Sequence, residues 1–322
     1  MWAIGENADI AAPQHCGSSI LSFVRHTFLS SSSAFSQLGH CRRSSFFLPT
    51  ARRIYDSPLL YSTITVNMSD KPAIGFCGLG AMGFGMATHL IKQGYSVTGF
   101  DVWAPTLDKF KAAGGTPSTS LSESATDKKF YICMVATAQQ AQTALFGDDG
   151  IVKGLPKGAT LLLTSTVPSA YAKSVEKDLK DIGRDDIFFI DAPVSGGAIR
   201  AADGTLSIMA GASPEAIAQG KFLLDELTAP SKLFIVDGGV GGGSNLKMVH
   251  QVLAAIQILA VSEAFGFAAR LGLNGKDVRE AVIAGKAWSW MFENRSVRTL
   301  GEDYFPGASA VTIIIKDTVS CD

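Results

Sequence analysis

One stretch, residues 73–101, limits the possible folds more than any other. Ala73-Ile-Gly-Phe-Cys77 reads as a short buried strand, and Gly78-Leu79-Gly80-Ala81-Met82-Gly83 follows it as a G-x-G-x-x-G turn. A helical run from Met82 to Lys92 comes next and is closed by Gly94. Tyr95–Phe100 then reads as a second strand ending at Asp101. The glycine pattern alone is weak, but strand, turn, helix, strand and terminal acid together form the phosphate-cradling half of a dinucleotide fold. Gly78 permits the tight turn. Gly80 lets the backbone approach a pyrophosphate, and Gly83 lets helix and strand pack closely. The free amides at the helix start, around Ala81 and Met82, and the positive end of the helix dipole suit phosphate oxygens. Asp101, about twenty residues on, is placed to accept hydrogen bonds from a ribose 2′-hydroxyl and to repel a 2′-phosphate, which points to NAD over NADP. A glycine turn that merely packs strand on helix, or a methyltransferase-type nucleotide site, would leave the same trace.

The α/β rhythm continues. Apolar runs at Phe130–Val135, Thr160–Leu163 and Asp186–Ile190 read as further strands, and Ile208–Ala210 and Leu233–Val236 as the last two. Short apolar strands alternating with helices mean a parallel sheet covered on both faces. Ligands of such sheets bind beyond the carboxyl ends of the strands. Thr137 and Thr166, which follow two of those ends, are therefore candidates to touch a cofactor, with ordinary turn chemistry as the competing explanation.

Composition excludes several classes. Lys and Arg together number 28 against 29 acids, a net charge of −1. This is not the basic excess of a nucleic-acid-binding protein. The five cysteines form no C-x-x-C pair, so no metal site and no disulfide framework is expected. The long apolar stretch Gln251–Leu273 is interrupted by Gln257, Glu263 and Arg270, and reads as a helix buried in protein rather than a membrane span. Residues 1–67 form a separate region. From Ile10 to Asn67 the basic residues are all arginine, serine is dense, and Asp56 is the one acid. That composition suits a mitochondrial transit segment. Glu6 and Asp9 near the start argue against one, and Met68 offers an alternative first residue of a cytoplasmic protein. In either case residues 1–67 are expected to be a disordered leader outside the fold.

Two further motifs carry chemistry. Asp191-Ala-Pro-Val-Ser195-Gly196-Gly197 follows a strand without nucleotide-loop spacing. Its Ser-Gly-Gly run can turn successive amides inward as an anion nest, with the Ser195 hydroxyl as one more donor, so a small carboxylate would suit it. A plain strand-to-loop turn is the simpler explanation. Gly241-Gly-Gly243-Ser244-Asn-Leu-Lys247-Met-Val-His250-Gln251 opens a long apolar helix that runs to about Arg270. Ser244 is a natural N-cap, which places Lys247 in the first turn, where the dipole disfavours a cation. Burial and dipole would lower the lysine pKa toward a range useful to a base. Lys247, His250 and Gln251 are spaced to share one helix face, with a solvated face on a domain linker as the competing explanation.

In their order and spacing, the segments 78–83, 191–197 and 244–251 resemble the β-hydroxyacid dehydrogenase family, whose members include 3-hydroxyisobutyrate, L-threonate and 6-phosphogluconate dehydrogenases. The similarity spans Ala73 to Asp317. It implies a doubly wound, parallel-sheet Rossmann domain over 73–240, followed by an all-α domain over 241–322. It also implies an NAD-dependent oxidoreductase that interconverts a small hydroxy acid and its keto acid or semialdehyde. By resemblance, Lys247 is the catalytic lysine and Ser195, Gly196 and Gly197 hold the substrate carboxylate, with His250 and Gln251 orienting its oxygens. Thr166 contacts NAD, and Lys316 closes over it. Lys-x-x-His-Gln in place of the common Lys-x-x-Asn, together with Ser289-Trp-Met-Phe-Glu-Asn294, resembles the L-threonate branch. The family continues for several helices beyond Lys316-Asp317, whereas this sequence ends at Asp322. The helical domain is thus expected to be truncated, and a homo-oligomer is expected only where those helices are present. A catalytically impaired NAD-binding or assembly protein is the alternative that this shortening raises.

Overall fold

The structure, a computed structural model, describes residues 71–301 and 316–317. The leader expected over residues 1–67 lies outside them. In chain order the elements are β1 (Ile74–Cys77), α1 (Ala81–Lys92), β2 (Val97–Phe100), α2 (Ala104–Ala112), β3 (Thr116–Pro117), α3 (Leu121–Ala125), β4 (Phe130–Cys133), α4 (Ala138–Phe146), α5 (Ile151–Gly154), β5 (Thr160–Leu163) and α6 (Ser169–Asp181). They continue with β6 (Phe188–Asp191), β7 (Val194–Ser195), α7 (Gly197–Asp203), β8 (Leu206–Ala210), α8 (Pro214–Glu226), β9 (Thr228–Ile235), α9 (Gly242–Arg270), α10 (Gly275–Ala284) and α11 (Trp290–Gly301).

The apolar strands pair in parallel, in the order β3-β2-β1-β4-β5-β6. Side chains alternate between the two faces of a strand. Ile74, Phe76, Ile132, Leu162 and Ile190 enter one core with Met86 and Leu90 of α1 and Leu223 of α8. Cys77, Tyr131, Cys133, Leu161, Leu163 and Phe189 enter the other with Leu145 of α4 and Val175 and Leu179 of α6. Both faces are therefore dry, which is why these strands read as unbroken apolar runs. Strand order reverses between β1 and β4, and the crevice beyond their carboxyl ends is where this topology takes a ligand.

The sequence reading differs from the structure in the strand pairing and in the surroundings of the longest helix. Ile208–Ala210 and Leu233–Val236 do not extend the main sheet. They lie in a second sheet of order β7-β8-β9, in which β7 runs antiparallel to β8. Apolar content marked them as strands, but pairing partners are long-range and left no local trace. Strand β3 was missed because two residues ending in proline carry no apolar run. Proline is tolerated there because β3 is the sheet edge and pairs only with β2. Finally, the long helix α9 is not enclosed. Ala255, Val261, Phe265 and Ala268 are buried, whereas Val249, Leu253, Ile256, Leu259 and Phe267 are exposed among the described residues. The neighbours α10 and α11 cover one side of it, through Phe265 stacked on Phe292 at 5.6 Å. Its apolar window has a mean hydropathy of 1.8, so by length and composition alone it could also cross a bilayer.

Helix α7 packs across α1, and the crossing depends on Gly85. A Cβ there would lie 2.9 Å from the Ala202 amide and 3.0 Å from the Ala201 Cβ. Replacing Gly85 with leucine is expected to force the helices apart and to cost about 1–3 kcal/mol, read from chemical denaturation; an unchanged midpoint would show that the crossing is soft.

Candidate active site

The dinucleotide turn leaves β1 directly. Gly78 has φ +87°, and a Cβ there would lie 2.1 Å from the Met134 carbonyl oxygen; at Gly83 it would lie 1.9 Å from the Gly78 carbonyl oxygen. Neither position admits a side chain. Gly80 is different: a Cβ there would meet nothing within 4 Å. It faces open space at the N-cap of α1, where the first amides have no carbonyl partner within the helix. Ala81 is exposed and Met82 half-buried at this end. An open cradle with free amides fits a dinucleotide pyrophosphate. Asp101 stands beside it: its Oδ2 accepts from the Leu79 amide at 2.7 Å and its Oδ1 from the Trp103 amide at 2.8 Å. Both bonds orient the carboxylate, and each oxygen keeps a lone pair for a further donor.

Thr137 caps α4, its hydroxyl accepting from the Gln140 amide at 3.1 Å. This is the turn chemistry that competed with a cofactor role. Thr166 lies past the end of β5, and its carbonyl accepts from Nζ of Lys316 at 2.7 Å. Two positions 150 residues apart, both singled out by the resemblance, are thus joined directly.

The start of α9 is built differently from the sequence reading. The helix begins at Gly242 with Gly241 as N-cap, so Ser244 is inside the first turn and Lys247 falls in the second. The acceptor that satisfies the helix start comes from elsewhere in the chain. Asp191, fully buried at the end of β6, receives the Gly241 amide at 3.1 Å, the Ser244 amide at 2.8 Å and the Ser244 hydroxyl at 2.7 Å. Burial raises the Asp191 pKa, and these three bonds oppose that shift. The approach is close: a Cβ on Gly243 would lie 2.3 Å from the Met209 carbonyl oxygen.

From that anchor, Lys247 projects into the interior and is 4% exposed. Its pKa falls to about 8, mainly through desolvation; Asp317 opposes the shift and Lys316 adds to it. Of the two causes expected, burial is the one that acts, since Lys247 lies beyond the first turn, where the dipole chiefly works. His250, one turn further, has its pKa lowered by partial desolvation and by the Lys247 charge. Its Nε2 lies 3.3 Å from the Ser195 hydroxyl and its Nδ1 lies 3.1 Å from Oε1 of Gln251. Gln251 Nε2 donates to Oδ2 of Asp317 at 2.5 Å, and Oδ1 of Asp317 pairs with Nζ of Lys316 at 2.7 Å. Ser195 ends β7, and Gly196 (φ +148°) and Gly197 (φ +74°) follow it, exposed, in conformations that side chains rarely adopt. A Cβ on Gly197 would again meet open space.

The structure thus gathers Ser195, Lys247, His250, Gln251, Lys316 and Thr166 into one polar cluster, while Gly78–Gly83 and Asp101 form the cradle. Sequence reasoning missed Asp191 as the anchor of α9 and Asp317 as the acid of the cluster. Asp191 gave a weak signal as a strand-terminal acid, and Asp317 gave one only as the neighbour of Lys316.

The profile of the NAD-binding domain of 6-phosphogluconate dehydrogenase matches residues 73–245, and that of the NAD-binding region of NADP-dependent 3-hydroxyisobutyrate dehydrogenase matches residues 241–321. The L-threonate dehydrogenase of Cupriavidus necator is 35% identical over 76% of this chain and 80% of its own length. The 2-hydroxy-3-oxopropionate reductase of Escherichia coli is 32% identical over 73% and 78%. The crystal structure of 3-hydroxyisobutyrate dehydrogenase from Salmonella typhimurium superposes with a TM-score of 0.70 at 33% identity, covering 78% of this chain and 85% of that one. On these matches, and on the cradle and lysine cluster that lie within them, the chain belongs to the β-hydroxyacid dehydrogenase family and is related to its 3-hydroxyisobutyrate and L-threonate dehydrogenases.

Proposed function

We propose that the protein oxidises a small hydroxy acid of the L-threonate or 3-hydroxyisobutyrate type with NAD, and reduces the corresponding keto acid or semialdehyde in reverse, with Lys247 as general acid and base. The observation that carries this reading is the nearly buried Lys247 amine, with a pKa lowered to about 8 by desolvation, one helical turn from an imidazole that contacts the Ser195 hydroxyl. The amides of Gly196 and Gly197 would hold the substrate carboxylate, with the Ser195 hydroxyl. His250, held from behind by Gln251, would orient the remaining oxygens. The neutral Lys247 amine would take the proton of the reacting hydroxyl, and in the reverse direction its ammonium would return it. When bound, the nicotinamide ring supplies the hydride acceptor. Lys316, anchored on the Thr166 carbonyl, would close the cofactor end of the site.

The purified chain, mixed with NAD and a panel of hydroxy acids, should show reduced nicotinamide by absorbance with at least one of them. NAD binding without turnover of any acid would sink this reading.

The cofactor choice rests on Asp101, whose carboxylate flanks the cradle. Replacing it with alanine is expected to raise KM for NAD about tenfold, by removing hydrogen bonds to a charged acceptor, and to narrow the gap to NADP. Steady-state kinetics with both cofactors tests this, and a parent enzyme that prefers NADP would refute the assignment.

A further inference from the structure

Hydrogen-bond logic across the cluster fixes more than its shape. The Asp317 carboxylate is paired with the Lys316 ammonium, and such a carboxylate accepts hydrogen bonds and offers none. The Gln251 group that faces it at 2.5 Å must therefore be the NH2. The Gln251 carbonyl oxygen then points at Nδ1 of His250, 3.1 Å away. A carbonyl is only an acceptor, so Nδ1 carries the ring hydrogen. In the neutral imidazole, Nε2 is left with a bare lone pair. Partial desolvation and the neighbouring Lys247 favour that neutral ring and outweigh the Gln251 bond, which favours the charged one. Across the 3.3 Å contact with Nε2, the Ser195 hydroxyl must then be the donor. In this state the Ser195 hydrogen is held by His250 and is not offered to a substrate carboxylate.

We infer that Gln251, oriented by Asp317, holds His250 in its Nδ1–H form, so that the site presents an acceptor beside Ser195 and selects acids bearing a hydroxyl beyond the one that reacts. The selection rests on the hydroxyacid-oxidising site proposed above; the tautomer does not. A substrate hydroxyl that donates to Nε2 displaces the Ser195 hydrogen. That hydrogen turns to the substrate carboxylate, and both groups are satisfied. An acid with an apolar branch leaves Nε2 paired with Ser195 and its own carboxylate short of one donor. Polyhydroxy acids are favoured over branched monohydroxy acids for that reason. Gln251 is a positioning residue here, since it acts through the imidazole.

The test is 15N NMR of the full chain labelled at histidine, where protonated and bare ring nitrogens resonate far apart; the His250 signals are assigned by their loss in His250→Asn. The expected result is Nδ1–H at His250 in the parent. In Gln251→Leu the Nε2–H form should gain population. L-Threonate should shift the Nε2 resonance and 3-hydroxyisobutyrate should not. The ratio of kcat/KM for these two acids should fall about tenfold or more in Gln251→Leu, the scale on which a lost substrate hydrogen bond is felt. Nε2–H in the parent, or a tautomer indifferent to Gln251→Leu, overturns the inference. A Gln251-dependent tautomer whose signals ignore L-threonate overturns the substrate selection alone. Failure of the dehydrogenase reading is seen separately, as NAD binding with no hydroxy acid oxidised.

Discussion

Replacing Lys247 with methionine is expected to lower kcat by about 10³-fold, the scale of a lost general base, while NAD still binds. Methionine keeps the length and the burial and removes only the proton-carrying amine. The pH dependence of the parent should carry the same signature. Because burial lowers the Lys247 pKa to about 8, the neutral amine dominates above that value. Oxidation should rise with pH and level off above about 8. Reduction, which needs the ammonium, should fall over the same range. Both limbs should vanish from the residual rate of the methionine variant. Stopped-flow traces of reduced nicotinamide across pH 6 to 10 would decide it, and a variant that keeps parental kcat would remove Lys247 from the mechanism.

Replacing Asp191 with alanine should produce the largest stability loss. It strands two amides and one hydroxyl that are buried at the start of α9. Bonds to a charged acceptor are worth about 1.5–3 kcal/mol each and do not add fully, so a loss on the order of 3–4 kcal/mol is expected. In a unit of this size that corresponds to a fall in Tm of roughly 10 °C by calorimetry. Turnover should fall with it, because the same bonds fix the turn that precedes Lys247. Asp191→Asn is the control. Its carbonyl can still accept from both amides and its NH2 can donate to Ser244 Oγ, so it should keep most of the stability. Equal losses in the two variants would mean that negative charge, not hydrogen bonding, holds the helix.

The parts of this protein that were legible were those in which neighbouring residues do a job together. Gly78, Gly80 and Gly83 lie within six consecutive positions; a positive φ demands the first and close packing the last, while Gly80 keeps the approach open. Strands β1, β4, β5 and β6 were visible because burial on both faces leaves an unbroken apolar run. Ser195–Gly197 and Lys247–Gln251 could be singled out because residues spaced along one turn or one helix face must meet the same surroundings. The small second sheet and the edge strand β3 were not legible, because pairing is decided by elements distant in the chain.

The sequence by itself thus determined the nucleotide-binding turn, the alternation of strand and helix, and which polar residues fall together on one turn or one helix face. These depend on φ angles, side-chain volume and spacing, all of which act over a few residues. Only the tertiary structure decided how those residues work. It made Asp191 rather than Ser244 the acceptor for the helix start, moved Lys247 out of the first turn so that burial acts without the dipole, and brought Asp317 and Lys316 against Gln251 and Thr166. Desolvation and hydrogen-bond pairing depend on which groups are neighbours in space, and that is a property of the whole packed chain.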